Sequence, residues 1–290
     1  MAEAITEVIR KRFSSRTYLE EPIIEDKQQK LAEFLAASQI GPLGTRMRFQ
    51  LVAASEDDGQ ALKGLGTYGS IRRATGFIVG AVEEGPKGLE DFGYLMEQAI
   101  LLATSMGLGT CWLGGAFNKS NFGKKISLTA QEVLPAVAAI GNIADRNLSG
   151  DEIRQRVGAT QRYASDQLFF DQEFGQAMTP DAAGVYAELL EMVRLAPSAK
   201  NKQPWRIIRK GQRWHFYLER TKGYGKGSLI FRLLGVADLQ RIDMGIAMCH
   251  FELAAQELGV LGNWVVEETE IDGLGHKLEY TASWVPATGI

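Results

Sequence analysis

From Asp91 the chain runs largely apolar to Gly107-Leu108-Gly109-Thr110-Cys111-Trp112, and from Asp243 it does so again to Gly259-Val260-Leu261-Gly262-Asn263-Trp264. The two closing segments stand 152 residues apart, Gly107 against Gly259. Upstream, Ile40-Gly41-Pro42 leads into Phe49-Gln50-Leu51-Val52, and Leu195-Ala196-Pro197 leads into Trp205-Arg206-Ile207-Ile208, at an offset of 156 from Phe49 to Trp205. A near-constant offset over such a distance marks two copies of one layout, over 1–150 and 151–290. A duplicated chain can build within itself a site that other proteins assemble between two subunits.

Working outward, Ile5, Val8, Ile9 and Phe13 have helical spacing, and a second helix is predicted over Glu25 to Ala37. Phe49 to Ala54 and Gly76 to Val82 read as buried strands, continuous in apolar character. Asp91 to Met106 is helical in period, and Gly107 sits where a C-cap glycine belongs. Thr129 and Glu132 have capping-box spacing before a strand at Ala136 to Ile140. The polar segment from Asn147 to Met178 links the copies. Thr179-Pro180-Asp181 then opens a helix that ends near Leu195. A hairpin turning at Gly211-Gln212, a helix within Val236 to Leu258, and strands at Asn263 to Glu268 and Lys277 to Trp284 complete the second copy. Strands and helices interleave in both copies, so the class is α+β or α/β. The stretches Phe92 to Leu108 and Ile242 to Leu258 have few polar positions and need cover on nearly all sides. Packing against each other would supply it, making the copies one interlocked body.

A net charge of −3 excludes the basic footprint of a general nucleic-acid binder. No stretch amounts to about 20 apolar residues, the length of a membrane span. The N-terminus lacks the basic and apolar regions of a secretory signal, which makes the cytoplasm the expected location. Cys111 and Cys249 form no disulfide framework and read as buried thiols. His215, His250 and His276 are scattered and suggest no metal site.

Three segments could carry chemistry. Arg12, Ser14 and Arg16 can converge on one anion, since guanidinium groups bind phosphate through charge-assisted hydrogen bonds; the same residues could also form a solvated basic helix terminus. Pro197-Ser198-Ala199-Lys200-Asn201-Lys202-Gln203-Pro204-Trp205 is a polar loop stiffened by two prolines. It can present donors and acceptors to a planar heterocycle, or act only as a connector. Gly107 to Gly115 allows close backbone approach to a ligand or simply tight turns. It is not a dinucleotide fingerprint, which must follow a strand and open a helix.

Together these segments resemble the flavin-dependent nitroreductase family: Arg12-x-Ser14-x-Arg16, Pro197-Ser198-x-x-Asn201-x-Gln203-Pro204-Trp205, Gly107 to Trp112 with Gly114-Gly115, and Pro135 to Gly141. The resemblance implies an α+β fold, an α/β sandwich, with FMN held between two subunits. Here the parts are divided between the copies. The first has Arg12, Ser14, Arg16, Gly114 and Gly115, but Gly41-Pro42-Leu43-Gly44-Thr45 at the loop position. The second has Ser198 and Asn201, but Arg162-Tyr163-Ala164-Ser165 and Val265-Val266 where the other parts would fall. The chain therefore resembles the single-chain, internally duplicated members, an intrachain pseudo-dimer with one FMN.

The resemblance further implies that Arg12 and Ser14 hold the phosphate, with Arg16 at the phosphate or pyrimidine edge and Arg146 adding to the phosphate site. Pro197, Ser198 and Asn201 would meet the ring or ribityl chain from across the interface, and Gly114 and Gly115 would let the backbone pass close by. Lys63 and Thr67-Tyr68-Gly69 are a further possible flank. The implied chemistry is ping-pong transfer of electrons from NAD(P)H to a small organic acceptor such as a nitroaromatic or quinone. It requires no catalytic side chain and no metal. An FMN-binding module without turnover is the alternative.

Overall fold

The computed structural model describes residues 3–55, 58, 60–144, 155–222, 224, 235–268, 271 and 278–287. Helices α1 (Ile5–Lys11) and α2 (Glu25–Ala37) precede strands β1 (Met47–Ala53) and β2 (Gly76–Glu83). Helix α3 (Gly88–Ser105), β3 (Leu108–Leu113), α4 (Lys119–Lys125), β4 (Glu132–Val133) and β5 (Val137–Asn142) follow. The remaining elements are α5 (Ser165–Leu168), β6 (Phe169–Asp171), α6 (Pro180–Ala183), α7 (Tyr186–Leu195), β7 (Trp205–Lys210), β8 (Arg213–Glu219), α8 (Leu239–Glu257), β9 (Gly262–Val265) and β10 (Leu278–Pro286).

One antiparallel sheet has the order β1-β2-β5-β3, with β4 on the end of β2. The other has the order β6-β7-β8-β10-β9, in which β6 runs parallel to β7 and the rest are antiparallel. Leaving β4 and β6 aside, the orders correspond strand for strand, so the repeat in the sequence is a repeat in the fold. The long helices α3 and α8 correspond as well, and each ends on a glycine in the left-handed region, Gly107 at φ 76° and Gly259 at φ 73°. A glycine reaches that conformation without a Cβ penalty.

Most predicted elements fall within a few residues of the observed ones, but three differ. Leu108 to Leu113, read as a glycine-rich helix ending, is strand β3, paired with β5 through Thr110 and Ile140. Its glycine has a packing role: a Cβ on Gly109 would lie 2.9 Å from Ile143 and 3.0 Å from Ser15. The helix opened by Thr179 breaks at Gly184, whose φ of 53° interrupts it before α7. Phe169–Asp171, in the segment read as a linker, is an edge strand of the second sheet.

The copies meet along α3 and α8, which pack against one another within an apolar cluster that spans both copies. Gly93 and Gly245 stand 152 residues apart, the offset of the repeat, and each faces the other helix. A Cβ on Gly93 would come within 2.2 Å of the Ile242 carbonyl oxygen, and one on Gly245 within 1.8 Å of the Glu90 carbonyl oxygen. Replacing glycine by alanine in a helix ordinarily gains about 1 kcal/mol of propensity. A clash with backbone cannot be relieved by a side-chain rotation, so the sign reverses here. Gly93→Ala and Gly245→Ala should each destabilise the protein by about 3 kcal/mol, the upper end of overpacking costs. Chemical denaturation checks this, and an unchanged midpoint for both would contradict the crossing.

In the second sheet His215 is buried, with Nδ1 2.7 Å from Ser283 Oγ. Burial, with Arg213 and Lys210 nearby, lowers its pKa from 6.5 to about 4. The unfolded chain thus takes up a proton that the folded chain refuses. The stability contributed is present above about pH 6.5 and lost as pH falls towards 4. His215→Gln should flatten the fall in melting temperature across that window.

Candidate functional site

A cavity of about 510 Å³ lies where the copies meet. Ser14, Arg16, Gly114 and Gly115 line it from the first copy, and Pro197 and Ser198 from the second. The segment carrying Ser14 and Arg16 leaves α1 in extended form and is pinned to β3, with Ser15 N donating to Thr110 O at 2.8 Å. Tyr18 Oη donates to Ser15 O at 2.6 Å, and Arg16 Nη1 reaches Cys111 Sγ at 3.3 Å. Gly114 follows β3, and a Cβ there would come within 2.5 Å of Leu239 on α8. Its lack of a side chain lets α8 close over the cavity. At Gly115 a Cβ would meet Val236 at an ordinary 3.5 Å.

The second-copy loop is strained and internally braced. Lys200, Asn201 and Gln203 have φ of 50°, 54° and 46°, each in the left-handed region that non-glycine residues rarely adopt. The polar residues hold it there. Ser198 Oγ accepts from Gln203 N at 2.8 Å, and Gln203 Oε1 accepts from Tyr163 N at 2.9 Å. Asn201 Nδ2 donates to Gly158 O at 2.7 Å and Gln161 O at 2.9 Å, and its Oδ1 accepts from Arg162 Nη1 at 3.2 Å. Asn201 thus braces the loop from behind. The first-copy loop meets the same turn more cheaply, with Gly44 at φ 93°.

A carboxylate near the start of each long helix ties down its own copy's loop. Asp91 accepts from Leu43 N and Thr45 N, both at 2.8 Å, one on each oxygen. Asp243, 152 residues later, accepts from Ala199 N at 2.9 Å on Oδ1 and lines the cavity. The repeat carries on to Lys87 and Leu239. Leu239 is a cavity wall, whereas Lys87 Nζ donates to Thr281 O at 2.7 Å. The two faces of the pseudo-dimer have diverged at matched positions.

Arg12 does not line the cavity. Its side chain is 6% exposed, and Nε lies 3.8 Å from Glu97 Oε1. The fully buried Glu97 also accepts from Trp112 Nε1 at 2.7 Å and lies 3.0 Å from His250 Nε2, whose Nδ1 faces Met192 O at 2.9 Å. A backbone carbonyl only accepts, so Nδ1 is the ring nitrogen that donates to Met192 O. Trp112 lines the cavity, which puts Arg12 one layer behind it. Arg162 stands 150 residues after Arg12. Burial, then the like charges of Arg12 and Arg194, lower its pKa to about 10.

Arg146 lies outside the described residues. Lys63 and Thr67-Tyr68-Gly69 do not line the cavity, although the next residue, Ser70, does. The sequence reading missed Asp243 as a cavity residue, together with Lys200, Tyr224 and the α8 face. The offset to Asp91 was the signal available for Asp243. Among the described residues no group of His, Cys, Asp or Glu is arranged to hold a metal, and no helix is long and apolar enough to cross a membrane. Cationic and hydroxyl donors on largely apolar walls, in a volume usual for small-molecule sites, suit a planar anionic ligand.

Two sheets flanking a paired helical core, with a shared cavity between two copies, define the nitroreductase fold. The chain belongs to the nitroreductase family: residues 4–255 match the family described as "Putative TM nitroreductase". It is similar to a solved structure from Thermotoga maritima MSB8 described as a "putative nitroreductase", with TM-score 0.61 and 19% identity over 98% of this chain and 94% of that one. A nitroreductase family protein from Clostridium difficile 630 matches with TM-score 0.43 and 17% identity, over 56% of this chain and 95% of its own. A nitroreductase with bound FMN from Bacteroides fragilis NCTC 9343 matches with TM-score 0.38 and 19% identity, over 50% and 90%. Comparison with curated proteins gives no match.

Glu97→Ala should be severely destabilising, by about 3–5 kcal/mol, because it strips a buried charge cluster of its shared acceptor. Glu97→Gln, which keeps an acceptor for Trp112, should cost less. Equal melting temperatures for wild type and Glu97→Ala would contradict this.

Proposed function

We propose that the protein is an FMN-dependent oxidoreductase that passes electrons from NADH or NADPH to a small organic acceptor, a nitroaromatic, quinone or similar compound, by a ping-pong mechanism. The observation that carries this reading is the divided cavity, with Ser14 and Arg16 on one side and Pro197 and Ser198 on the other. When bound, FMN supplies electron transfer between donor and acceptor. The chain's residues bind and orient it. Ser14 and Arg16, with Arg146, are proposed to take the phosphate and the charged edge of the ring. Pro197 and Ser198 face the ring from the second copy, and Gly114 and Gly115 let α8 and the backbone close on it. Arg12 and Asn201 are proposed to act behind the lining, Arg12 through Glu97 and Trp112, Asn201 by bracing the strained loop. The reading includes a cytoplasmic protein working as a monomeric pseudo-dimer. It is supported by the family match, by the two buried cysteines, which form no disulfide, and by the donors on the cavity wall.

The test is to load the protein with FMN and add NADH or NADPH without air. Loss of the oxidised flavin absorbance is expected. Bound flavin that stays oxidised would instead indicate a binding module, and protein that rejects FMN would contradict both. Arg16→Ala and Ser198→Ala, one from each copy, should each weaken FMN binding about tenfold, near 1.4 kcal/mol. An effect confined to one copy would contradict the divided site.

A further inference from the structure

Asp243 is a buried carboxyl on the cavity wall whose hydrogen bonding is incomplete. It is 2% exposed, Oδ1 accepts from Ala199 N at 2.9 Å, and Oδ2 has no hydrogen-bond partner among the described residues. Its counterpart Asp91 has both oxygens engaged, each by a backbone N–H. Asp243 has one such donor and no ion pair among the described residues. The charged side chain nearest in sequence, Arg241, is committed to Glu90, with Nε donating to Oε1 at 2.8 Å, and the next, Asp238, is itself a carboxylate, committed to Arg220 Nη1 at 2.8 Å. A lone buried charge with half its acceptor sites empty costs several kcal/mol, and the group escapes that cost by holding a proton.

We propose that Asp243 is a neutral carboxylic acid whose Oδ2–H donates a hydrogen bond to an acceptor atom, a carbonyl oxygen or ring nitrogen, of the heterocycle bound in the cavity. The identity of that heterocycle as a flavin rests on the function proposed above; the neutral acid rests on Asp243 alone. Burial pushes this carboxyl well above the ordinary range, the Ala199 N–H opposes the shift and Asp238 adds to it. The arrangement turns a loop-fastening carboxylate, shared by both copies, into a ligand contact in one of them. Oδ1 keeps the fastening role, and Oδ2 becomes available because the second-copy loop supplies one N–H where the first supplies two.

Infrared spectra and FMN titrations of the full chain test this. At neutral pH the apo-protein should show a carboxylic-acid carbonyl band that Asp243→Asn removes and that shifts when FMN is added. Asparagine keeps an acceptor for Ala199 N–H and an N–H donor towards the cavity, so Asp243→Asn should bind FMN within about threefold of wild type, whereas Asp243→Ala should bind about tenfold more weakly. If Asp243→Ala fails to fold, the band and the asparagine variant decide. With wild type binding FMN, a missing band, a band that FMN leaves unmoved, or an asparagine variant about tenfold weakened would overturn this inference and leave the flavin reading standing. Wild type that takes up no FMN overturns the flavin reading, and the acceptor assigned here with it.

Discussion

The rest of the molecule depends on the crossing of α3 and α8 at Gly93 and Gly245. Each glycine gives the other helix's backbone room that a single methyl would remove. Close approach buries two helices that are apolar on most of their circumference, and buries them against each other. It also brings the N-terminal ends of both helices to the edges of the interface, where each carries an aspartate that fastens a loop. The shared cavity is a consequence of that packing. A helix pair held further apart would leave Leu239 short of Gly114 and the cavity without its α8 wall.

Duplication supplied symmetry, and the two faces then parted. Trp112 and Trp264, 152 residues apart, each donate an indole N–H to a carboxylate at 2.7 Å, one to the buried Glu97 and the other to the partly buried Glu252. Those carboxylates are not at matched positions, so the same need is met from different turns of the two helices. Around Trp112 the result is a charge cluster of Arg12, Glu97 and His250 that joins the copies behind the cavity. Around Trp264 it is a smaller arrangement with Tyr94, whose Oη donates to Glu252 at 2.8 Å. A symmetric homodimer must repeat each such choice on both faces. A single chain need not, and here Lys87 and Leu239, or Gly44 and Lys200, show how freely the copies have specialised.

Much of this was legible in the sequence because the signals are local. Gly107 capping a helix, Thr179 opening one and the Gly211-Gln212 hairpin all follow from near-neighbour chemistry. The Ser198-to-Pro204 pattern is legible for a further reason: its polar side chains brace a backbone with three left-handed residues, so the sequence there has little freedom. Strand β3 was hidden because Gly109 is required by packing against Ser15 and Ile143, far away in sequence. Arg12 resembled a direct ligand contact, since nothing local reveals a buried Glu97 85 residues on. Asp243 was visible as a repeat of Asp91, but an oxygen lacking a partner exists only in three dimensions.

The central claim is that two diverged copies make a single composite site. Titrating the purified full-length chain with FMN, with protein concentration fixed independently, tests it most directly. The account predicts saturation at one FMN per chain. Saturation at two would mean that the face carrying Lys87 and the doubly engaged Asp91 is a working site as well, contradicting the asymmetry on which the account rests.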